Sequence, residues 1–288
     1  MPKPNYCHVT VSIPYYQCKQ YLRKAVESIL GQTHTNLTLI VVNDGDEDAP
    51  WDFLSDINDS RLIRFDLSSN HGRYFADAVV LNATADPYFL VQDADDWSEP
   101  DRISILLEIL REDHSDAAIS AEYQYYTING NVVSKRKGDF FALNRPLTHR
   151  FEFRSSHHGL FKTQSLRNIG GYYGGFHIGY DRLLINLLQM TGSISYINEP
   201  LYNRIIRTDS LSQCAATGMS SPTRREARRL LEHIYAEALE LYIQYLSGHI
   251  EAETLARLIR QICNSHINQK DQADLIEASK RLRAILSN

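Results

Sequence analysis

The sequence predicts an α/β fold with a central mixed sheet, followed by a helical C-terminal region. Three observations carry this expectation. Short β-rich runs alternate with helical periodicity as far as Leu110, two of those runs stop at acidic clusters, and beyond Pro222 almost no strand signal remains.

Val9 to Ile13 reads as a strand ending at Pro14, and Leu37 to Val42 as a second. Between them Tyr21, Leu22, Ala25, Val26, Ile29 and Leu30 recur at helical spacing, with Gly31 where a helix would stop. Strand, helix, strand in that order implies parallel pairing with helices on the sheet faces. A strand near Leu62 to Phe65, a helix from Arg73 to Ala83 and a strand from Tyr88 to Gln92, closed by Asp93, continue the pattern. Pro100 opens another helix whose Ile103, Leu106, Leu107 and Leu110 share one face.

Beyond Ala117, aromatic strand residues through Tyr126 and a turn at Asn129-Gly130 leading into Val132 and Val133 make the sheet mixed. Ser134 to Ser156 is basic, aromatic and weakly periodic, and reads as a surface loop or acceptor-side lid. Ser212 to Pro222 is rich in Ser, Ala, Thr and Gly and reads as a linker. Three helices are expected beyond it, with Leu230, Ile234, Ala238, Leu241 and Tyr245 on one stripe. The expected division is residues 1–215 and a helical region 216–288.

A chain of 288 residues, 43% hydrophobic and 23% charged, can bury a sizeable core. A formal net charge of -5 gives no bulk attraction for nucleic acid, which is excluded as the default partner. Cys7, Cys18, Cys214 and Cys263 lack metal or disulfide spacing and read as free thiols. Met1 to Val11 lacks the apolar core of a secretion signal, and no run approaches the roughly 18 apolar residues of a membrane span. A cytoplasmic location is expected. Peripheral contact with the inner face of the membrane stays open, as does pairing of two copies through the C-terminal helices.

The segment from Phe89 to Trp97 is the most informative, because an apolar strand stops at Asp93, Asp95 and Asp96. Carboxylates so close repel unless a cation neutralises them, and hard divalent ions prefer carboxylate oxygen. In open α/β sheets ligands bind outside the carboxyl ends of the strands. The competing reading is a solvated acidic turn ahead of the Pro100 helix. Leu39 to Asp46 repeats the geometry, and Asp44 could accept from the imide N–H of uracil, although Asn-Asp-Gly is also an ordinary turn.

Several ordered segments carry a resemblance. Val9-Thr-Val-Ser-Ile-Pro-Tyr-Tyr16, Val42-Asn-Asp-Gly45, Asn70-His-Gly72 and Asp93-Ala-Asp-Asp96 resemble the motifs of family 2 glycosyltransferases with the GT-A fold. Gly170-Gly-Tyr172, Tyr180-Asp181, and Leu201-Tyr202 through Ser210-Leu-Ser212 are similar to the acceptor-side motifs of that family. The resemblance implies a GT-A type nucleotide-binding domain that transfers a sugar from a UDP-sugar donor, with inversion, to a glycan, lipid-linked or small-molecule acceptor.

It also implies roles. Pro14 and Tyr15 would flank the nucleotide pocket, Asp44 would read uracil, and Asp93 would bind the ribose. Within the same motif, Ala94 lies between Asp93 and Asp95 against the donor. Asp95, supported by Asp96, would hold Mg2+ or Mn2+ at the donor diphosphate, and Asp181 would be the catalytic base. Without the resemblance, Asp181 reads rather as a residue placed by the helix dipole, and its position in the motif order reverses that preference.

Three positions depart from the pattern. Tyr180 stands where the family has a first carboxylate. Asp77 stands where it often has an arginine, so Arg73, one turn earlier, is expected to contact the nucleotide. Arg207 stands where a histidine often approaches the metal. A guanidinium holds phosphate but cannot ligate a cation, so Arg207, with Arg204 nearby, is expected to clamp the diphosphate from a closing loop.

Trp97 is a candidate wall of the sugar pocket. Tyr123, Tyr125 and Tyr126 read as core. His157 and His158 precede Gly159 to Phe161, which reads as a strand bordering the acceptor site, and as adjacent residues pointing to opposite faces they would not easily share one ion. Two rivals remain: a non-catalytic nucleotide-sugar-binding or scaffold protein, favoured by the changes at Tyr180 and Arg207, and a sugar nucleotidyltransferase. The latter is opposed by the absence of glycine in Ile13-Pro-Tyr-Tyr-Gln17.

Overall fold

The computed structural model describes residues 7–128, 131–138 and 141–287. β1 (Val9–Tyr15) and β2 (Leu37–Asn43) pair in parallel, with Val9 opposite Leu37 and Tyr15 opposite Asn43. β2 is apolar on both faces because helices cover both, whereas β1 turns Val9, Val11 and Ile13 to one face and the buried hydroxyls of Thr10 and Ser12 to the other, where they donate to Asp86 and Asp77. Val11 and Ile13 of β1 and Leu39 and Val41 of β2 pack with α1 (Lys19–Leu30), while Ile40 and Val42 face the opposite core. As expected, α1 stops at Gly31, whose N–H donates to Glu27 O at 2.9 Å.

β3 (Leu62–Asp66) extends the sheet beyond β2, and α2 (Arg73–Ala83) returns the chain to β4 (Tyr88–Val91), which lies beside β1. The remaining elements are β5 (Trp97–Ser98), α3 (Arg102–Glu112), β6 (Ala117–Ile128), β7 (Asn131–Lys137), β8 (Gly159–Lys162), α4 (Thr163–Asn168), α5 (Tyr180–Thr191) and β9 (Ile194–Ile206). The strand order is β3-β2-β1-β4-β8-β6-β9-β5, with β7 paired to β6. β8 runs antiparallel to both β4 and β6, which makes the sheet mixed. β6 and β9 pair in parallel with a register shift between Ser120 and Glu122.

One apolar cluster joins the sheet to α1 and α3. The other joins its opposite face to α2, α4, α5 and three further helices, α6 (Pro222–Leu246), α7 (Ala252–Ser265) and α8 (Gln269–Leu286). The expected α/β architecture with C-terminal helices is therefore present. α8 lies along α2, and α6 and α7 lie on α5.

Three local expectations need correction. The stretch after Ser134 is not all loop, because β7 continues to Lys137 and a short 3-10 turn spans Phe141–Asn144. β7 is an edge strand with exposed side chains, so its backbone ladder to β6 fixes it and no apolar alternation announces it. The buried stripe of α6 keeps Ile234 and Ala238 of the expected set and adds Leu231, Tyr235 and Leu239, whereas Leu230 and Tyr245 are 41% and 37% exposed. Periodicity leaves the centre of the stripe open by about one residue, and packing on α5 sets it. Ser212 to Pro222 is a run of hydrogen-bonded turns, closed by Arg224 donating to Leu211 O and Thr217 O. The Asn129-Gly130 turn lies outside the described residues.

Candidate active site

The parallel strands β1, β2 and β4 all end at one edge of the sheet, and the acidic residues follow there. β4 stops at Val91, and Gln92 to Asp96 turn the chain into β5. Asp93, Asp95 and Asp96 each offer a carboxylate oxygen within 4.8 Å of the others. Hard oxygen donors at that spacing fit a divalent cation of the Mg2+ or Mn2+ type. Ala94, between them, is buried in the α1 and α3 core and fixes the turn from below.

The three carboxylates differ. Asp93 accepts from Arg73 Nη1 at 2.5 Å and faces His158 Nε2 at 3.1 Å. Burial pushes its carboxyl up, but Arg73 and His158 outweigh that and hold it well below the usual carboxylate range. Asp95 accepts from Arg207 Nε at 2.8 Å, yet burial and the Asp93 charge raise it. Asp96 accepts from the Tyr202 hydroxyl and the Ile205 N–H, both at 2.8 Å, and burial beside two like charges raises it far above its ordinary value.

Arg73, at the first turn of α2, bridges Asp93 and Asp77, which lies 3.3 Å from Nη2. Arg102, fully buried, donates to Gln92 Oε1, Ser98 Oγ and Val91 O beneath the acidic turn. Its guanidinium is brought down to about 10 by burial. Arg204 is half-buried near Asp96 and Glu122.

Asp44, after β2, accepts from the backbone N–H of His71 and Gly72 at 2.9 and 2.8 Å, and burial raises it to about 6. It thereby ties the Asn70-His71-Gly72 loop to the end of β2. Gly45 must be glycine here: its φ is +71°, and a Cβ would lie 2.2 Å from the Ser69 carbonyl carbon. Pro14 is half-buried, and Tyr15 is 1% exposed with its carbonyl accepting from the Asp44 N–H, so Tyr15 ties the end of β1 to the turn after β2.

On the opposite wall Asp181 occupies the first turn of α5. It accepts from the Tyr74 hydroxyl at 2.8 Å and lies 3.7 Å from His157 Nδ1. Burial raises its carboxyl, but His157, Tyr74 and Arg73 bring the balance below the ordinary value. His157 and His158, with ring centroids 4.4 Å apart, span the space between Asp181 and Asp93.

Residues 10–170, more than half of the chain, match the family model for glycosyl transferase family 2. The chain belongs to that family.

Glycosyltransferase GlyA of Streptococcus pneumoniae is 28% identical over 221 residues, covering 71% of this chain and 31% of that protein. Chondroitin synthase of Escherichia coli is 28% identical over 212 residues, covering 71% and 30%. The chain thus spans about a third of the length of these relatives. Among solved structures, S. aureus TarS 1-349 in complex with UDP-GlcNAc superposes with a TM-score of 0.61 at 15% identity, covering 96% of this chain and 90% of that one. The fold is accordingly of the GT-A type that the motifs implied.

The family match frames what the structure brings together. Asp93, Asp95, Asp96, Arg73, Arg207 and Asp181 all meet at the sheet edge. Trp97 packs on Tyr125 with centroids 4.8 Å apart, and the Lys24 ammonium sits over its ring. Tyr180 is fully buried and stacks on Phe176, so the position of the missing carboxylate serves the core.

Two expectations fail. Tyr123 and Tyr125 are half-exposed because they alternate with the buried Glu122 and Gln124, and Tyr126, on the same face as those two, is also half-exposed and donates to Gln124 Oε1. His157 and His158 precede β8, as expected, but are not themselves strand residues, so the strand rule that set them apart does not apply. Their nitrogens and Asp93 fall within 4.8 Å of one another.

Glu122, Tyr202, Tyr74 and Arg102 were missed as site residues. The alternation of Glu122 and Gln124 with tyrosines was the available signal for the first. Tyr202 lay within a recognised motif, and nothing local marks Tyr74 or Arg102.

Proposed function

We propose that this chain is an inverting glycosyltransferase that moves a sugar from a UDP-sugar to an acceptor hydroxyl of a glycan, lipid-linked glycan or small molecule. One observation carries the reading. A carboxylate cluster that suits a divalent ion and a second buried carboxylate, Asp181, face each other across a pair of histidines at the carboxyl end of the sheet.

In this reading Asp44 faces uracil and holds the loop that walls the base, with Pro14 and Tyr15 beneath. Asp93, fixed by Arg73 and His158, takes the ribose hydroxyls. Asp95 and Asp96 would hold Mg2+ or Mn2+, which when bound neutralises charge on the departing nucleoside diphosphate. Arg207 turns from Asp95 to the diphosphate once the donor is seated. Trp97, beside the acidic turn, borders the sugar. Asp181 removes the acceptor proton as that oxygen attacks the anomeric carbon opposite the leaving group, so an α-linked donor gives a β-linked product.

The GT-A unit ends near residue 215 in this assignment, and the helices beyond it buttress α2 and α5. No described helix is long and apolar enough to cross a membrane. The similarity to chondroitin synthase supports a glycan acceptor.

The test is a thermal-shift panel of nucleoside diphosphates with and without Mn2+, followed by donor hydrolysis. Selective stabilisation by UDP plus Mn2+, and hydrolysis abolished by Asp95→Ala, support the reading. UDP binding without hydrolysis or transfer by the wild-type protein would favour a non-catalytic sugar-nucleotide binder.

A further inference from the structure

Two histidines line the wall between Asp93 and Asp181, and the bonds account for only one of them. His158 lies 2.7 Å from Ser156 Oγ through Nδ1 and 3.1 Å from Asp93 through Nε2. His157 is 7% exposed, and its Nδ1 faces Asp181 Oδ2 at 3.7 Å, while Nε2 is buried without a hydrogen-bond partner among the described residues. An unpaired buried polar atom destabilises the fold, so packing alone would favour a carbon side chain here.

The charged groups around His157 are Arg73 from α2, the neighbouring His158, Asp93 and Asp181. Burial, then Arg73 and His158, push this imidazole well below its ordinary value, which leaves it neutral. A neutral ring carries one N–H. Opposite an ionised carboxylate that proton belongs on Nδ1, which leaves Nε2 as an unpaired acceptor rather than an unpaired N–H. Tyr74 already donates to Asp181 Oδ1 from the other side.

We infer that His157 is a positioning residue for Asp181, with its Nδ1–H directed at Oδ2 while Tyr74 holds Oδ1, so that the carboxylate plane is fixed toward the acceptor. The 3.7 Å separation is longer than a hydrogen bond, and such contacts shorten when substrate enters a site. No proton passes to His157. The acceptor proton goes to Asp181, and His157 keeps that carboxylate oriented and ionised. This rests on Asp181 being the base.

The test compares His157→Asn, His157→Gln and His157→Phe in hydrolysis of UDP-GlcNAc with Mn2+ across the acid limb of the pH profile. An asparagine amide can stand near the place of Nδ1, a glutamine amide stands nearer Nε2, and phenylalanine donates nothing. His157→Phe and His157→Gln should lower kcat about 10- to 100-fold and move the acid limb up by about one pH unit. Donor KM and calorimetric UDP affinity should stay within about twofold, because the interaction removed acts on the base rather than on the donor. His157→Asn should recover most of the activity and the original limb. An unshifted limb in His157→Phe, or equal damage in all three, overturns the inference.

Nitrogen-15 NMR of the histidines gives a readout that needs no turnover. The proton should reside on Nδ1 of His157, and Asp181→Ala should shift that signal. A proton on Nε2, or no response, also overturns the inference. If the wild-type protein hydrolyses nothing, the glycosyltransferase reading fails, and the NMR result still decides whether His157 serves Asp181.

Discussion

Arg207 donates its Nε–H to Asp95 at 2.8 Å although the two lie 112 positions apart. A cation of the protein thus rests on the carboxylate assigned to the divalent ion. The same guanidinium reaches Asp209 at 3.0 Å and lies over the Tyr21 ring. The contact defines two competing uses of one carboxylate.

Arg207→Ala is therefore expected to act in opposite directions on two ligands. Freed of its counter-charge, Asp95 should bind Mn2+ alone several-fold more tightly. UDP should bind about ten- to a hundredfold more weakly, the worth of a hydrogen bond to a charged group being about 1.5–3 kcal/mol. Calorimetric titrations with Mn2+ and with UDP check both. Unchanged UDP affinity and turnover would remove the clamp.

Asp181→Asn keeps shape and an acceptor for Tyr74 while removing the basic lone pair. Its kcat should fall about 10²–10⁴-fold, the usual contribution of a positioned base. UDP affinity should not change. Steady-state kinetics beside UDP calorimetry measure both, and a fall of less than threefold would sink the assignment.

Asp96→Ala and Asp95→Ala should both lower metal-dependent activity yet differ in stability. Asp96→Ala leaves the Tyr202 hydroxyl and the Ile205 N–H without their acceptor. Each such loss costs about 1–3 kcal/mol. Asp95→Ala leaves Arg207 paired with Asp209 and relieves the repulsion from Asp93, so it should cost less stability than Asp96→Ala while abolishing Mn2+-dependent hydrolysis. Urea unfolding of both variants shows the contrast or its absence.

The Asp44 carboxyl, raised by burial from 3.8 to about 6, makes stability depend on pH. The unfolded chain releases this proton at lower pH than the folded one. Across that window the folded state binds more protons, so stability falls as pH rises from about 4 to about 6, by at most about 3 kcal/mol. Below the window the penalty is absent, and above it the penalty is complete. Asp77 is raised similarly, so the slope must be isolated by subtracting Asp44→Asn from wild type in urea titrations at several pH values. A difference that does not fall across the window contradicts the assignment.

Much of the fold and part of the site could be read from the residues. The alternation of Val9 to Ile13, the helix from Tyr21 to Leu30 and the run ending at Asp93 are local patterns, and backbone geometry enforces them wherever they occur. Asp93, Asp95 and Asp96 were legible because they follow one strand. The edge strand β7 was only begun at Val132 and Val133, since strand edges need no apolar alternation. His157 was assigned the wrong geometry because a two-residue periodicity was applied to a segment that is not a strand.

The sequence by itself determined the βαβ alternation, the acidic strand ends and the helical character beyond Pro222, all of which depend on neighbours a few positions apart. Tertiary structure alone decided that β8 inserts between β4 and β6, which brings His158 to Asp93 across 65 positions. It also decided that Tyr74 meets Asp181 across 107 positions and that Arg207 rests on Asp95. Side chains so far apart in the chain meet only through the order in which strands pair, and no local periodicity records that order.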